Sequence, residues 1–186
     1  EHPLTHLNGI IYAADYKQKL LQRVIHNFKF RFIQELAEPL AKILAQFCEN
    51  YNIVQAQNFE AQHDAPLRIA DPLIIPVPLN KKRLLERGFN QAELIAKIFA
   101  SYFNYPLLTD IVSRQKNTPH QVGLNKKERL TNVQNAFQVT SPQLIKNRVV
   151  ILIDDVVTTG STLEEIAKVL KANGAKEIWG LTVAKD

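Results

Sequence analysis

Two adjacent carboxylates, Asp154 and Asp155, follow the apolar run Val150-Ile151-Leu152-Ile153 and precede Val156-Val157-Thr158-Thr159-Gly160-Ser161-Thr162. The apolar run reads as a buried strand, and the residues after Ser161 read as a helix. Ligands of open α/β sheets bind at the carboxyl ends of the strands. Backbone N–H groups at a helix N-terminus attract anions, and Gly160 lets the backbone approach closely. The Thr and Ser hydroxyls add donors for phosphate oxygens. Paired carboxylates would repel a phosphate. They suit ribose hydroxyls, or a divalent cation held through water. A sugar phosphate satisfies both halves of the loop. An apolar strand ending in Asp-Asp also suits a Walker-B pair, an acidic phospho-receiver pocket, or a helix cap. The first needs a Gly-x-x-x-x-Gly-Lys-[Ser/Thr] partner, which the chain does not contain. The second belongs at a first strand, and a cap needs neither paired Asp nor five small polar residues.

Cations gather upstream. The 186 residues carry a net charge of +5, distributed unevenly. Residues 76–148 hold 12 basic and 4 acidic side chains, whereas residues 1–75 and 149–186 are slightly acidic. Such a local excess fits phosphates or nucleic acid, and it also fits an ordinary soluble Lys-rich surface. Hydrophobic residues make up 46% and charged residues 22%, which excludes general disorder. The single cysteine, Cys48, excludes an internal disulfide and a multi-thiolate zinc cluster. His2, His6, His26, His63 and His120 show no ligand spacing, so no structural zinc is expected. No apolar run approaches the roughly 20 residues that span a bilayer. No secretory start is present, so the chain is read as cytoplasmic.

The elements that must position these residues emerge from periodicity. Ile10–Ala14 reads as a strand, with Asp15 capping the next helix. Leu20, Leu21, Val24, Ile25 and Phe28 mark one face of that helix; Leu36, Leu40, Ile43, Leu44 and Phe47 mark a second, on which Cys48 is expected to be packed. Asn50–Pro72 is polar and reads as a long loop, with a short strand near Val54. Leu73–Pro78 is a buried strand entering a turn. Lys81–Gly88 reads as a basic loop, and Asn90 with Glu93 opens a helix. Leu107–Val112 and Phe137–Thr140 are short strands, and Arg114–Asn135 is a polar, basic connection. Val149–Ile153, a helix over Thr162–Ala172 and Ile178–Ala184 form a βαβ unit with parallel strands.

The thirteen residues Val150–Thr162 resemble the phosphoribosyl-pyrophosphate (PRPP) motif of type I phosphoribosyltransferases. The resemblance implies an α/β fold with a five-stranded, mostly parallel sheet flanked by helices. It places Asp154 and Asp155 at the ribose hydroxyls and Val157, Thr158, Thr159, Gly160, Ser161 and Thr162 around the 5′-phosphate. Three further stretches resemble the ComF/GntX branch. They are Pro76-Val77-Pro78-Leu79 with Arg83 and Arg87-Gly88-Phe89-Asn90-Gln91; Arg114, Thr118, Gln121, Leu124, Arg129, Asn132 and Phe137; and Tyr12 with Lys29-Phe30. Pro78 and Leu79 then belong to a pyrophosphate loop with Arg87 beside it, and Arg114–Asn135 takes the place of the mobile catalytic loop. Residues 1–72 form an N-terminal strand and helical hood, and residues 73–186 the transferase-like core. Many members of this branch begin with a four-cysteine zinc ribbon. This chain starts at Glu1 without Met, and either continues upstream or lacks that ribbon.

The resemblance implies a PRPP-binding protein that supports natural transformation, with Mg²⁺ accompanying PRPP. Single-stranded DNA and the DNA-uptake machinery are the implied partners. Lys81, Lys82, Arg83, Lys126, Lys127 and Arg129, with Phe89 to stack, would line a groove for the strand. The alternatives are an active transferase moving 5-phosphoribose to an acceptor, with Asp154, Asp155 and Arg87 as catalytic residues, and a sensor of PRPP.

Overall fold

The computed structural model describes residues 5–54, 69, 71–115 and 135–186. Four strands, β1 (Gly9–Asp15), β2 (Leu73–Pro76), β5 (Val149–Val157) and β6 (Glu177–Lys185), form one parallel sheet in the order β1-β6-β5-β2. Its helices are α1 (Lys19–Phe30), α2 (Ala37–Asn50), α3 (Lys81–Arg87), α4 (Gln91–Phe103) and α5 (Ser161–Ala172). A separate hairpin pairs β3 (Val112–Arg114) with β4 (Phe137–Val139). The expected α/β fold with a parallel sheet between helices is present. Among the described residues, the expected fifth strand is represented by a bridge from Ile74 to Leu107 on the outer edge of β2. The hairpin strand accordingly begins at Val112, later than the expected Leu107.

Alternation along the central strands sorts the core into two layers. Ile74, Ile151, Ile153, Leu181 and Val183 face α1, α2 and α4. Leu73, Ile75, Val150, Leu152 and Ile178 face α5 and the hairpin. A strand buried on both faces must be apolar throughout, and this is why Val150–Ile153 carries no alternation. The expected hood region contributes β1 to the same sheet, where Gly9–Asp15 pairs with β6. Glycine at position 180 of β6 lets α5 pack close by, and a larger residue would force Leu163 to shift. A Cβ there would lie 2.9 Å from Leu163 Cδ1.

Two local expectations change. Lys81–Arg87 is helical: Asn80 Oδ1 accepts the Lys82 N–H at 2.9 Å, and Gly88, at φ 78°, closes the turn. A strong cap at each end holds a seven-residue helix that periodicity alone does not reveal. Asp15 caps the turn before α1, accepting from Lys17 N at 2.8 Å, and Gln18 takes the helix N-cap without a side-chain bond. Cys48 is buried on α2 as expected, and burial, reinforced by Glu49, pushes its thiol up to about 12. Such a thiol is not reactive.

Glu164, in the first turn of α5, anchors residues 5–7. Its carboxylate accepts from Thr5 N and Oγ1, His6 N and Leu7 N, and meets His6 Nδ1 at 2.7 Å. Burial raises its pKa, but the bonds from His6 and Thr5 outweigh this and hold it below the ordinary value. A lowered carboxylate stabilises above its unfolded pKa and loses that contribution as pH falls through the folded one. Glu164→Ala is expected to cost about 2 kcal/mol at pH 7. The loss should shrink as pH falls below 4.5, as denaturant unfolding at both pH values would show.

Candidate functional site

Parallel pairing brings the carboxyl ends of β2 and β5 side by side. Pro76 is opposite Ile153, and Val77 N–H donates to Ile153 O at 2.9 Å. The chain beyond β2, Val77–Asn80, and the end of β5, Asp154–Val156, therefore form two walls of one cavity of about 180 Å³. Lys29 and Phe30 from α1, Arg83 and Arg87 from α3, Asn90 and Gln91 from α4, Arg114 from β3 and Thr162 from α5 complete it. Six elements thus contribute to one site.

Each side chain is placed by a local rule. Arg83 and Arg87 are four residues apart, so they share the face of α3 that meets the cavity, while Lys81 and Lys82 stay exposed. Asn90 Oδ1 accepts from Ala92 N at 3.2 Å, and its Nδ2 donates to Val77 O at 3.0 Å, tying α4 to the wall after β2. Phe89 packs beneath, its ring 5.6 Å from Phe28. This fixes the end of α1, from which Lys29 Nζ reaches Asp155 Oδ1 at 2.9 Å. Asp154 Oδ1 accepts from Asp155 N at 2.9 Å, and Asp155 Oδ1 from Val156 N at 2.7 Å. Arg87 lies 5.6 Å above the Phe30 ring and Arg114 5.4 Å above that of Phe137. Both contacts hold a guanidinium over an aromatic face.

Four cationic side chains, Lys29, Arg83, Arg87 and Arg114, line the cavity against two carboxylates, Asp154 and Asp155. Burial lowers the pKa of all three guanidiniums; Arg83 adds to this at Arg87 and Arg114, while Asp155 opposes it at Arg83 and Arg87. Like charges confined together in this way favour an anionic ligand. Asp154 responds oppositely. Burial and the neighbouring Asp155 push it up, to about 7, although Lys29 counteracts them.

The β5–α5 turn lies next to the cavity. Gly160 holds the N-cap of α5 at φ 75°, a conformation that other residues adopt with strain. Thr159 Oγ1 donates to Ser161 Oγ at 3.0 Å and accepts weakly from Ser161 N at 3.4 Å. Thr158 and Thr159 are half-buried. The Val157 side chain is packed in the α5-side core.

Among the expected site residues, the structure unites Pro78, Leu79, Arg83, Arg87, Asp154, Asp155 and Thr162 around the cavity. Phe89 is corrected: it is 7% exposed and packed on Phe28, so it is not available to stack on a base. Lys126, Lys127 and Arg129, and most of the expected catalytic loop, lie outside the described residues. Lys29, Asn90 and Gln91 line the cavity without having been expected ligand contacts; Asn80 ends the expected pyrophosphate loop, residues 76–80, and Arg114 begins the expected catalytic loop. The four-residue spacing of Arg83 and Arg87 was a readable signal, but Lys29 sits 126 positions from its partner Asp155. Among the described residues no group of three or more His, Cys, Asp or Glu could hold a metal alone.

A carboxyl held protonated by its surroundings destabilises the fold once it ionises. Between the ordinary 3.8 and about 7 the folded state binds more protons than the unfolded one, so stability falls as pH rises. Asp154→Asn removes this titration. Its stability advantage over the parent protein is expected to grow across that window and to level off above it, measured by denaturant unfolding at successive pH values. A constant difference would refute the assignment.

Residues 85–185 match the phosphoribosyl transferase domain family. Competence protein F of Haemophilus influenzae is 39% identical over 167 residues, covering 88% of this chain and 68% of that protein. DNA utilization protein YhgH of Escherichia coli K12 is 32% identical over 174 residues, covering 92% and 70%. A purine phosphoribosyltransferase structure from Pyrococcus horikoshii superposes with a TM-score of 0.43 and 19% identity, covering 80% of this chain and 71% of that one. This likeness is too distant to carry an argument about activity. The sequence relatives and the domain match show that the chain belongs to the phosphoribosyl transferase domain family and, within it, to the ComF group of competence-associated proteins.

Proposed function

We propose that the cavity binds PRPP or a closely related sugar pyrophosphate in support of competence-associated DNA handling. The observation that carries this reading is the charge arrangement. Four cations surround two carboxylates beside a glycine-capped helix N-terminus. The carboxylates suit ribose hydroxyls, the helix N-terminus suits a terminal phosphate, and Arg83, Arg87 and Arg114 suit a pyrophosphate. Lys29 holds Asp155 at 2.9 Å and keeps this carboxylate from standing alone. Asp154 and Asp155 are the groups that would hold Mg²⁺. Two carboxylates fit an ion that draws its remaining ligands from substrate oxygens and water. Bound there, Mg²⁺ would supply charge neutralisation for the phosphates.

Calorimetry with PRPP and Mg²⁺ is expected to show saturable binding, weakened at least about tenfold by combining Asp154→Asn with Asp155→Asn. No heat from the parent protein would overturn the ligand assignment. A transferase would go further. The bond from C1 of the ribose to pyrophosphate oxygen would break, pyrophosphate would leave with the electron pair, and an acceptor would bond to C1. Steady pyrophosphate release with a panel of nucleobases separates that alternative from a binding module or a PRPP sensor.

A second reading concerns nucleic acid, and α1 favours it. Between Asp15 and Glu35 the chain holds five basic side chains and no acidic one. Tyr16, Gln22, Arg23, His26, Asn27 and Arg31 line a separate open concavity of about 460 Å³. Phe30 and Phe32, the chain neighbours of Arg31, are exposed, and the His26 ring is 4.9 Å from that of Phe30. Cations with exposed rings suit single-stranded DNA, whose bases stack while its phosphates pair. With Phe89 buried, this surface is a better track than Lys81, Lys82 and Arg83 on α3. Replacing Arg23 and Arg31 with Ala is expected to flatten the slope of log affinity against log salt by about 1.4. An unchanged slope, with the loss appearing instead for Lys81→Ala/Lys82→Ala, would return the track to α3.

A further inference from the structure

The last polar group of the cavity is Gln91. It occupies the first position of α4, is 2% exposed and lines the cavity. Its Nε2 is buried without a hydrogen-bond partner among the described residues. The neighbouring amide behaves differently. Asn90 uses its oxygen on Ala92 N and its nitrogen on Val77 O. Asn90 therefore does the structural work of capping α4 and tying it to the wall after β2. Gln91 is held one residue further on, and among the described residues its donor gains no bond that compensates its burial. Burying an amide donor without a partner is costly, and native proteins rarely tolerate it without a reason. An apolar side chain of similar length would occupy the same space without that cost.

We propose that Gln91 is a ligand contact, with its amide and the N-terminus of α4 forming an anion subsite for the pyrophosphate end of the bound sugar phosphate. The proposal rests on the sugar-pyrophosphate reading of the cavity. Three observations converge on the subsite. The positive end of the α4 dipole is here, and Asn90 and Gln91 at that end both line the cavity. Arg83 and Arg87 line the same space from α3. The orphaned donor is a group that an oxyanion satisfies. The subsite is distinct from the β5–α5 turn, so the two phosphate-bearing ends of one ligand would meet two different helix N-termini. In the ligand-free protein the amide is a destabilising feature. In the complex its cost is recovered as affinity and as selectivity for ligands that carry pyrophosphate.

Calorimetry with Mg²⁺ and three probes tests this on the whole chain: PRPP, inorganic pyrophosphate and ribose 5-phosphate. Gln91→Met keeps the length of the side chain and removes the donor, and Gln91→Leu is a second apolar replacement should the first fold poorly. Affinity for PRPP and for pyrophosphate is expected to fall about tenfold. Affinity for ribose 5-phosphate should be unchanged. The ligand-free variant should unfold at a higher temperature than the parent, because a buried unpaired amide is gone. Parent-like affinity for pyrophosphate in both variants overturns the proposal. An equal loss for all three probes also overturns it, since that is the mark of a residue that only supports the cavity. If the parent protein binds none of the probes, the sugar-pyrophosphate reading falls first, and the subsite falls with it.

Discussion

The site depends on β5 being clamped between β6 and β2. Its first half is dry on both faces, with Val150 to Ile153 at most 1% exposed, and its next two residues are carboxylates. The parallel register with β6 continues past this change, pairing Asp154 with Thr182 and Val156 with Ala184. The carboxylates therefore leave the sheet on a backbone whose hydrogen bonds are already fixed. Two negative charges at the edge of an apolar layer demand compensation. The surrounding elements supply it: Lys29 from α1, Arg83 and Arg87 from α3, and Arg114 from the hairpin.

Cations outnumber carboxylates in the cavity, four to two, and that imbalance gives it its character. The raised Asp154 and the lowered guanidiniums share one first cause, burial of a charged group away from water. A sugar pyrophosphate brings hydroxyls for the carboxylates and anionic oxygens for the cations. The unpartnered Gln91 amide belongs to the same picture. Buried charge and a buried amide donor in one cavity are costs to stability of the kind that binding sites on stable scaffolds commonly carry.

Much of the fold was legible along the chain. The βαβ unit at the end, the buried strand at Leu73 and the helix after Asn90 each carry strong local signals, namely uninterrupted apolar runs, a capping Asn and a stop at Asn173-Gly174. The errors fell where local signals compete with context. Residues 81–87 are mostly charged and show no apolar stripe, so periodicity does not mark a helix; their Lys, Arg, Leu and Glu all favour one, and the caps at Asn80 and Gly88 set its ends. Phe89 looked available because it follows a basic stretch. It is buried because α1 arrives from a distant part of the chain and covers it.

The sequence by itself determined the chemistry of the β5–α5 turn and the parallel sheet that presents it. Thirteen consecutive residues encode a strand, two carboxylates, a glycine and a helix start, and all of those properties are local. Only the tertiary structure decided which cations face the carboxylates. Lys29 and Arg114 are brought in by α1 and the hairpin, elements distant in sequence. It also decided that Asn90 would be satisfied and that Gln91 Nε2 would have no partner among the described residues, although the two side chains are adjacent and nearly identical in chemistry. Hydrogen bonding and charge compensation depend on distance in space. A sequence specifies that distance only through the packing of the whole molecule.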